Sequence, residues 1–140
     1  MKFSIELPVQ FRDVDCLGHV NSATHLQWME TARIELMRHL GQIDHGFRPR
    51  FIIASCQCEY MKPIIDQRRV IVSTWISRMG TRSWDFDYVI GGSEEVVFAI
   101  GRTTQVAFDY KSGSTIPISD ELRKTLKNQF ERPLAFKEAT

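Results

Sequence analysis

SATHLQWMETARIELMRHL, residues 22–40, reads as the main helix of the chain. Leu26, Met29, Leu36, Met37 and Leu40 recur at helical spacing, and Gly41 follows as a stop. Trp28 and Ile34 lie off that stripe, so the apolar surface is wide, as expected of a helix largely enclosed by other structure. On either side the period is two. Residues 3–11 read as a first strand, residues 42–50 as a loop, and residues 51–61 as a strand stopped near Pro63. In RVIVSTWISRM (69–79), Val70, Val72, Thr74, Ile76 and Arg78 face one way, and Ile71, Ser73, Trp75 and Ser77 the other. A turn at 80–82 leads into SWDFDYVI (83–90), with Trp84, Phe86, Tyr88 and Ile90 on one face. After a turn in GGSE, a strand over 95–109 carries Val97, Ala99, Gly101, Thr103 and Ala107 on one face, small enough for the helix to come close. A turn at 111–113 and a short polar helix over 119–130 complete the chain. One early helix followed by consecutive antiparallel strands is an α+β pattern, not the alternation of a parallel sheet.

The 140 residues fit one domain, 1–140, large enough to fold without disulfides or metals. With 18 basic and 17 acidic residues the formal charge is +1, which argues against nucleic-acid binding as the main role. The opening MKFSIELPVQ lacks the apolar run of a signal peptide, and no apolar run reaches membrane-spanning length. Cys16, Cys56 and Cys58 are odd in number and lack C-x-x-C spacing, so they are expected as reduced thiols of a cytoplasmic protein. His19, His25, His39 and His45 fall into no strong ligand spacing, and no metal is expected.

The strand-to-helix junction FRDVDCLGHVNS (11–22) concentrates the candidate chemistry. In its plain reading, Asp and Asn cap the helix and Gly18 supplies a backbone angle. The same groups support a second reading. A helix N-terminus presents unpaired N–H groups and partial positive charge, which can hold an oxygen that turns negative when a carbonyl is attacked. Asp15 lies three residues before Gly18, so a tight turn can return its carboxylate toward the helix start as nucleophile or base. Acyl transfer to water needs this pair. Asp13 is assigned a lesser, capping role.

FRDVDCLGHVNSATHLQWMETAR (11–33) resembles the signature of the 4-hydroxybenzoyl-CoA thioesterase family of hotdog-fold proteins, an aromatic-x-D-x-D-x-x-G-H-V-N-N-x-x-Y pattern followed by E-x-A-R. Asp13, Asp15, Gly18, His19, Val20, Asn21, Glu30, Ala32 and Arg33 stand in register. EYMKP (59–63), the GTRS turn (80–83) and GRTTQVAFD (101–109) are similar to its later parts. The resemblance implies a sheet of about five antiparallel strands wrapped around one long helix, units joined as a homodimer or homotetramer, and an active site at the dimer interface. It implies an acyl-CoA thioesterase with Asp15 as the catalytic carboxylate and the Ser22 backbone N–H as the donor to the thioester oxygen. Gly18, His19, Val20 and Asn21 would line the loop between them, and with Ser22 and His25 they form the expected substrate-binding set. Three positions depart from the pattern: Ser22 stands where many relatives have Asn or His, His25 replaces the usual Tyr, and Arg68 stands where relatives often place an acidic residue at the next strand's start. A backbone donor survives the first change.

Lys62, Arg78, Arg82 and Ser83 are candidates for the phosphates of coenzyme A, with a solvated rim as their plain reading. Glu30 is the reserve catalytic carboxylate, because a second group of hotdog thioesterases uses a helix glutamate; three residues before Arg33, it also suits an intrahelical ion pair. No cofactor is expected beyond the coenzyme A thioester as substrate, with an acyl-carrier protein as the alternative carrier. Two other functions fit the fold: a non-catalytic binder of acyl-CoA or acyl-carrier protein, and a hydratase pairing Asp15 with His19.

Overall fold

The computed structural model describes residues 2–43, 50–93 and 95–137. Strand β1 (Phe3–Pro8) ends earlier than its alternation predicts, and the chain tightens into a 3-10 turn at Phe11–Asp13. Pro8 has no N–H to extend a ladder. Helix α1 spans Ser22–His39. Asn21 caps it, with Oδ1 accepting the Ala23 N–H at 2.9 Å. Gly41 ends it at a φ of +73°, its N–H donating to the Arg38 carbonyl.

Strands β2 (Phe51–Tyr60), β3 (Arg69–Met79), β4 (Ser83–Gly91) and β5 (Val97–Asp109) follow, then a two-residue β6 (Ser114–Thr115) and helix α2 (Asp120–Lys127). The sheet is antiparallel, in the order β1-β3-β4-β5-β2, with β6 added to β5. This is the expected α+β hotdog arrangement, one long helix on a sheet of five principal strands. Most of the loop expected over 42–50, including His45, and part of the GGSE turn lie outside the described residues.

The helix-facing side of the sheet is the core. Val70, Val72, Ile76, Trp84, Phe86, Tyr88 and Ile90 are buried there, as the period-two reading requires. The stripe that α1 buries is Thr24–His25, Trp28–Met29, Ala32–Arg33 and Leu36–Met37, pairs repeating every four residues. Leu26, placed on the buried stripe by its spacing, is instead exposed. The small-residue face of β5 does receive the helix: a Cβ at Gly101 would overlap the Met29 thioether.

Two features of the outer sheet face differ from the alternation. A bulge between Ile76 and Arg78 carries Arg78 across to face Asp85, with its Nε donating to Oδ2 at 2.9 Å. The C-terminal segment then crosses that face. The Trp75 indole donates to the Arg132 carbonyl, Arg102 to the Leu134 carbonyl, and the Lys137 N–H to Glu59. Asp87 anchors the segment. Its buried carboxylate accepts from Ser77, from Arg102 through two nitrogens, and from the Leu134 N–H.

Candidate active site

The junction between β1 and α1 is a closed turn. Val14 and Val20 pair as an antiparallel bridge, the Asp15 N–H donates to the His19 carbonyl at 2.8 Å, and the Gly18 N–H donates to the Asp15 carbonyl at 3.1 Å. Gly18 sits at a φ of +80°, a conformation that side chains with a Cβ rarely adopt, so this turn needs glycine. One residue farther out, the Asn21 N–H donates to the Asp13 carbonyl at 2.7 Å. The helix start is therefore laced to the chain just before Asp15.

Within the turn, Asp15 is half-buried, and its Oδ1 accepts the Leu17 N–H at 2.9 Å. Its second oxygen has no hydrogen-bond partner among the described residues. Asp13 does what its lesser role required: it is buried, and its Oδ2 accepts the Gln10 N–H at 2.7 Å. Val20 is buried and ties the turn to the loop after β2 through the Ile64 carbonyl, while His19 is half-buried.

At the helix start the backbone donors are only partly used. Asn21 Oδ1 takes the Ala23 N–H and the Asn21 carbonyl takes the Thr24 N–H. The Ser22 N–H has no partner among the described residues, leaving one free donor at the positive end of an eighteen-residue helix. His25 and Tyr60 frame this end of the helix. His25 is only 3% exposed, and its Nδ1 lies 3.1 Å from the Asn21 carbonyl. Tyr60, from the end of β2, stands edge-on to the His25 ring at 4.8 Å, and its hydroxyl donates to the Ser22 carbonyl at 2.8 Å. Burial pushes the His25 pKa below its ordinary value, against the opposing pull of the Asn21 and Ser22 carbonyls. Burial also pushes the Tyr60 hydroxyl up to about 12, so it stays a donor. The involvement of Tyr60 escaped the sequence reading, since it lies 38 residues from Ser22 and alternates like any strand residue.

The remaining candidates do not gather here. Glu30 is 66% exposed, pairs with Arg33 at 3.5 Å, and sits eight residues along the helix from Ser22. That separation is about 12 Å at helical rise. Arg78 and Ser83 join one network, in which Arg78 donates to both Asp85 and the Ser83 hydroxyl, while Arg82 donates to the Thr115 carbonyl. Lys62 follows Tyr60, whose partner on β5 is Ala99, whereas the partner of Ser83 is Val106. Lys62 and the Arg82 turn thus lie at opposite ends of β5, about 24 Å apart at strand rise. Among the described residues, no three of His, Cys, Asp or Glu are grouped to hold a metal ion, and no helix is long and apolar enough to cross a membrane.

A family model described as the thioesterase-like superfamily matches residues 9–126. The chain belongs to the thioesterase-like superfamily. Among solved relatives of this superfamily, a predicted thioesterase from Bacillus stearothermophilus is 27% identical, with a TM-score of 0.86 over 95% of this chain and 99% of that one. A thioesterase from Thermus thermophilus, complexed with coenzyme A and Zn, is 28% identical, with a TM-score of 0.80 over 93% and 95% of the two chains. The YsmA protein of Bacillus subtilis (strain 168) is 24% identical over 124 residues, 89% of this chain and 84% of that protein.

Proposed function

We propose that this superfamily member is an acyl-CoA thioesterase that releases a carboxylic acid and free coenzyme A. The observation that carries the reading is a junction that holds both the turn-held carboxylate of Asp15 and a Ser22 N–H at the helix start with no partner among the described residues. As general base, Asp15 takes a proton from water while the resulting hydroxide bonds to the thioester carbon. The carbonyl oxygen becomes an oxyanion that accepts the Ser22 N–H. Collapse breaks the C–S bond, and the departing thiolate takes up a proton. As nucleophile, Asp15 bonds to the carbon itself, the C–S bond breaks to release the thiolate, and water then hydrolyses the resulting mixed anhydride to the acid and free Asp15. Both routes give the same products and need no cofactor beyond the substrate. The coenzyme A bound to the Thermus thermophilus relative supports the substrate class.

Two copies joined along β2 complete this reading. Among the described residues, β2 is a ten-residue edge strand whose one sheet neighbour is β5. Its Ile53, Cys56 and Tyr60 lie opposite the buried Gln105, Thr103 and Ala99, yet are themselves exposed. The helix lies over β1, β3 and β4, reaches β5 through Met29 at Gly101, and leaves these three β2 residues open, a surface suited to a second copy. Antiparallel pairing of two β2 edges would set the Arg82 end of one copy against the Tyr60 end of the other. That would bring a basic residue toward the other copy's helix start, where it suits the phosphates of coenzyme A. Cys16, Cys56 and Cys58 are free thiols, which suits the reducing cytoplasm.

Free-thiol release from short, long, branched and aromatic acyl-CoAs tests the proposal, with acyl-carrier-protein thioesters as a further arm. Turnover on one acyl class is expected. Binding of acyl-CoA with no thiol release would overturn the hydrolase reading in favour of a binding role.

A further inference from the structure

The structure gives His25 a specific set of partners. His25 lies four residues after Asn21 in the first turn of α1, and helical side chains point back toward the N-terminus. Its Nδ1 thereby reaches the Asn21 carbonyl at 3.1 Å. A carbonyl oxygen only accepts, so the proton sits on Nδ1 and the ring donates. The acceptor is the point of interest. The Asn21 carbonyl and the Ser22 N–H are the two ends of one peptide group. A hydrogen bond received at the oxygen draws electron density from the nitrogen and makes the N–H a stronger donor.

We propose that His25 is a positioning residue for the oxyanion donor: by donating from Nδ1 to the Asn21 carbonyl, it orients and polarises the Asn21–Ser22 peptide whose N–H faces the thioester oxygen. The inference rests on the thioesterase reading and extends it to a residue outside the reacting atoms. Three further residues support it. The Thr24 N–H donates to the same Asn21 carbonyl at 3.0 Å, so the peptide is held from two directions. Tyr60 holds the next peptide through the Ser22 carbonyl, and its ring stands edge-on against the His25 ring. Trp28 closes another side at 5.5 Å between ring centroids. His25 is thus buried in an aromatic setting with a fixed tautomer, and water cannot replace its hydrogen bond.

Three substitutions separate donation from packing. His25→Phe keeps a ring against Tyr60 and removes the donor. His25→Asn places an amide N–H where Nδ1 stands, and His25→Gln places it where Nε2 stands. On the best acyl-CoA, His25→Phe and His25→Gln are expected to lower kcat about tenfold with KM little changed, less than the loss of an oxyanion donor itself. His25→Asn should recover turnover to within a few-fold of wild type. A structural role would not move the second readout, the amide proton shift of Ser22 by NMR, which should go upfield in His25→Phe and His25→Gln and return in His25→Asn.

Wild-type turnover in His25→Phe, or no recovery in His25→Asn, would overturn the proposal. So would a Ser22 amide shift that His25→Phe leaves in place. Failure of the thioesterase reading looks different: wild type itself would release no thiol. The Ser22 shift still decides in that case whether His25 polarises this peptide.

Discussion

His25, a member of the expected substrate-binding set, is buried between Tyr60 and Trp28 at the helix start. Its burial carries a consequence for stability. Desolvation lowers its pKa below the ordinary value of 6.5, so the folded protein favours the neutral ring more than the unfolded chain does. The stabilisation is complete above the unfolded pKa and is lost as pH falls through the depressed folded value. Urea melts at pH 7.5 and at steps below pH 6.5 should therefore show a steeper loss for wild type than for His25→Asn; parallel losses would contradict the assignment. Gly18 is the opposite case, legible from the start. Its φ of +80° meets open space, so Gly18→Ala meets no clash and acts through backbone strain alone. A loss of about 1 kcal/mol in stability is expected from forcing a Cβ residue into that region, measured by the same melts.

At the scale of elements, most of the sheet was legible because alternation and burial agree. Trp84, Phe86, Tyr88 and Ile90 form the inner row of β4 as their spacing requires, and β3 begins and ends at the expected residues. The misses have physical causes. Alternation assumes an unbroken pleat, and the bulge after Ile76 inverts it, which sends Arg78 to the outer face with Asp85. Trp75 sits on that outer face yet is buried, because the C-terminal segment crosses over it. That segment has no period of its own; it is held by contacts with residues far away in sequence, which no local pattern reveals. Helix–sheet contact was anticipated at the small residues of β5, and it gives a sharp test. Gly101→Val would drive a side chain into the Met29 thioether and the Gln57 carbonyl. Overpacking of this kind is expected to lower stability by about 1–3 kcal/mol, read from the denaturation midpoint. An unchanged midpoint would mean that α1 does not press on β5 at this position.

For the whole molecule, the two faces of the sheet divide the work. The outer face is closed by the chain itself, through the segment tied to Asp87 and Arg102. The inner face holds the helix and leaves β2 open, and the proposed dimer follows from that edge. Ile53→Lys places a charge on the open inner face of β2 without touching Asp15 or the helix start. It should convert a dimer to a monomer in size-exclusion chromatography with light scattering; an unchanged mass would place the interface elsewhere. The junction signature made the candidate site legible in outline, including Asp15, Gly18 and the helix start. The participation of Tyr60 was not legible, because folding alone brings β2 to Ser22.

The chemistry assigned to Asp15 can be tested most directly by measuring thiol release for Asp15→Asn beside wild type, on the acyl-CoA that wild type hydrolyses best. The amide keeps the size of the carboxylate and its capacity to accept the Leu17 N–H, so the turn should persist, as checked by circular dichroism and melting midpoint. Turnover should fall by about 10²–10⁴-fold, the contribution of a positioned acid–base group. Full turnover in a folded Asp15→Asn protein would contradict the assignment of Asp15 as the catalytic carboxylate and turn attention to Glu30.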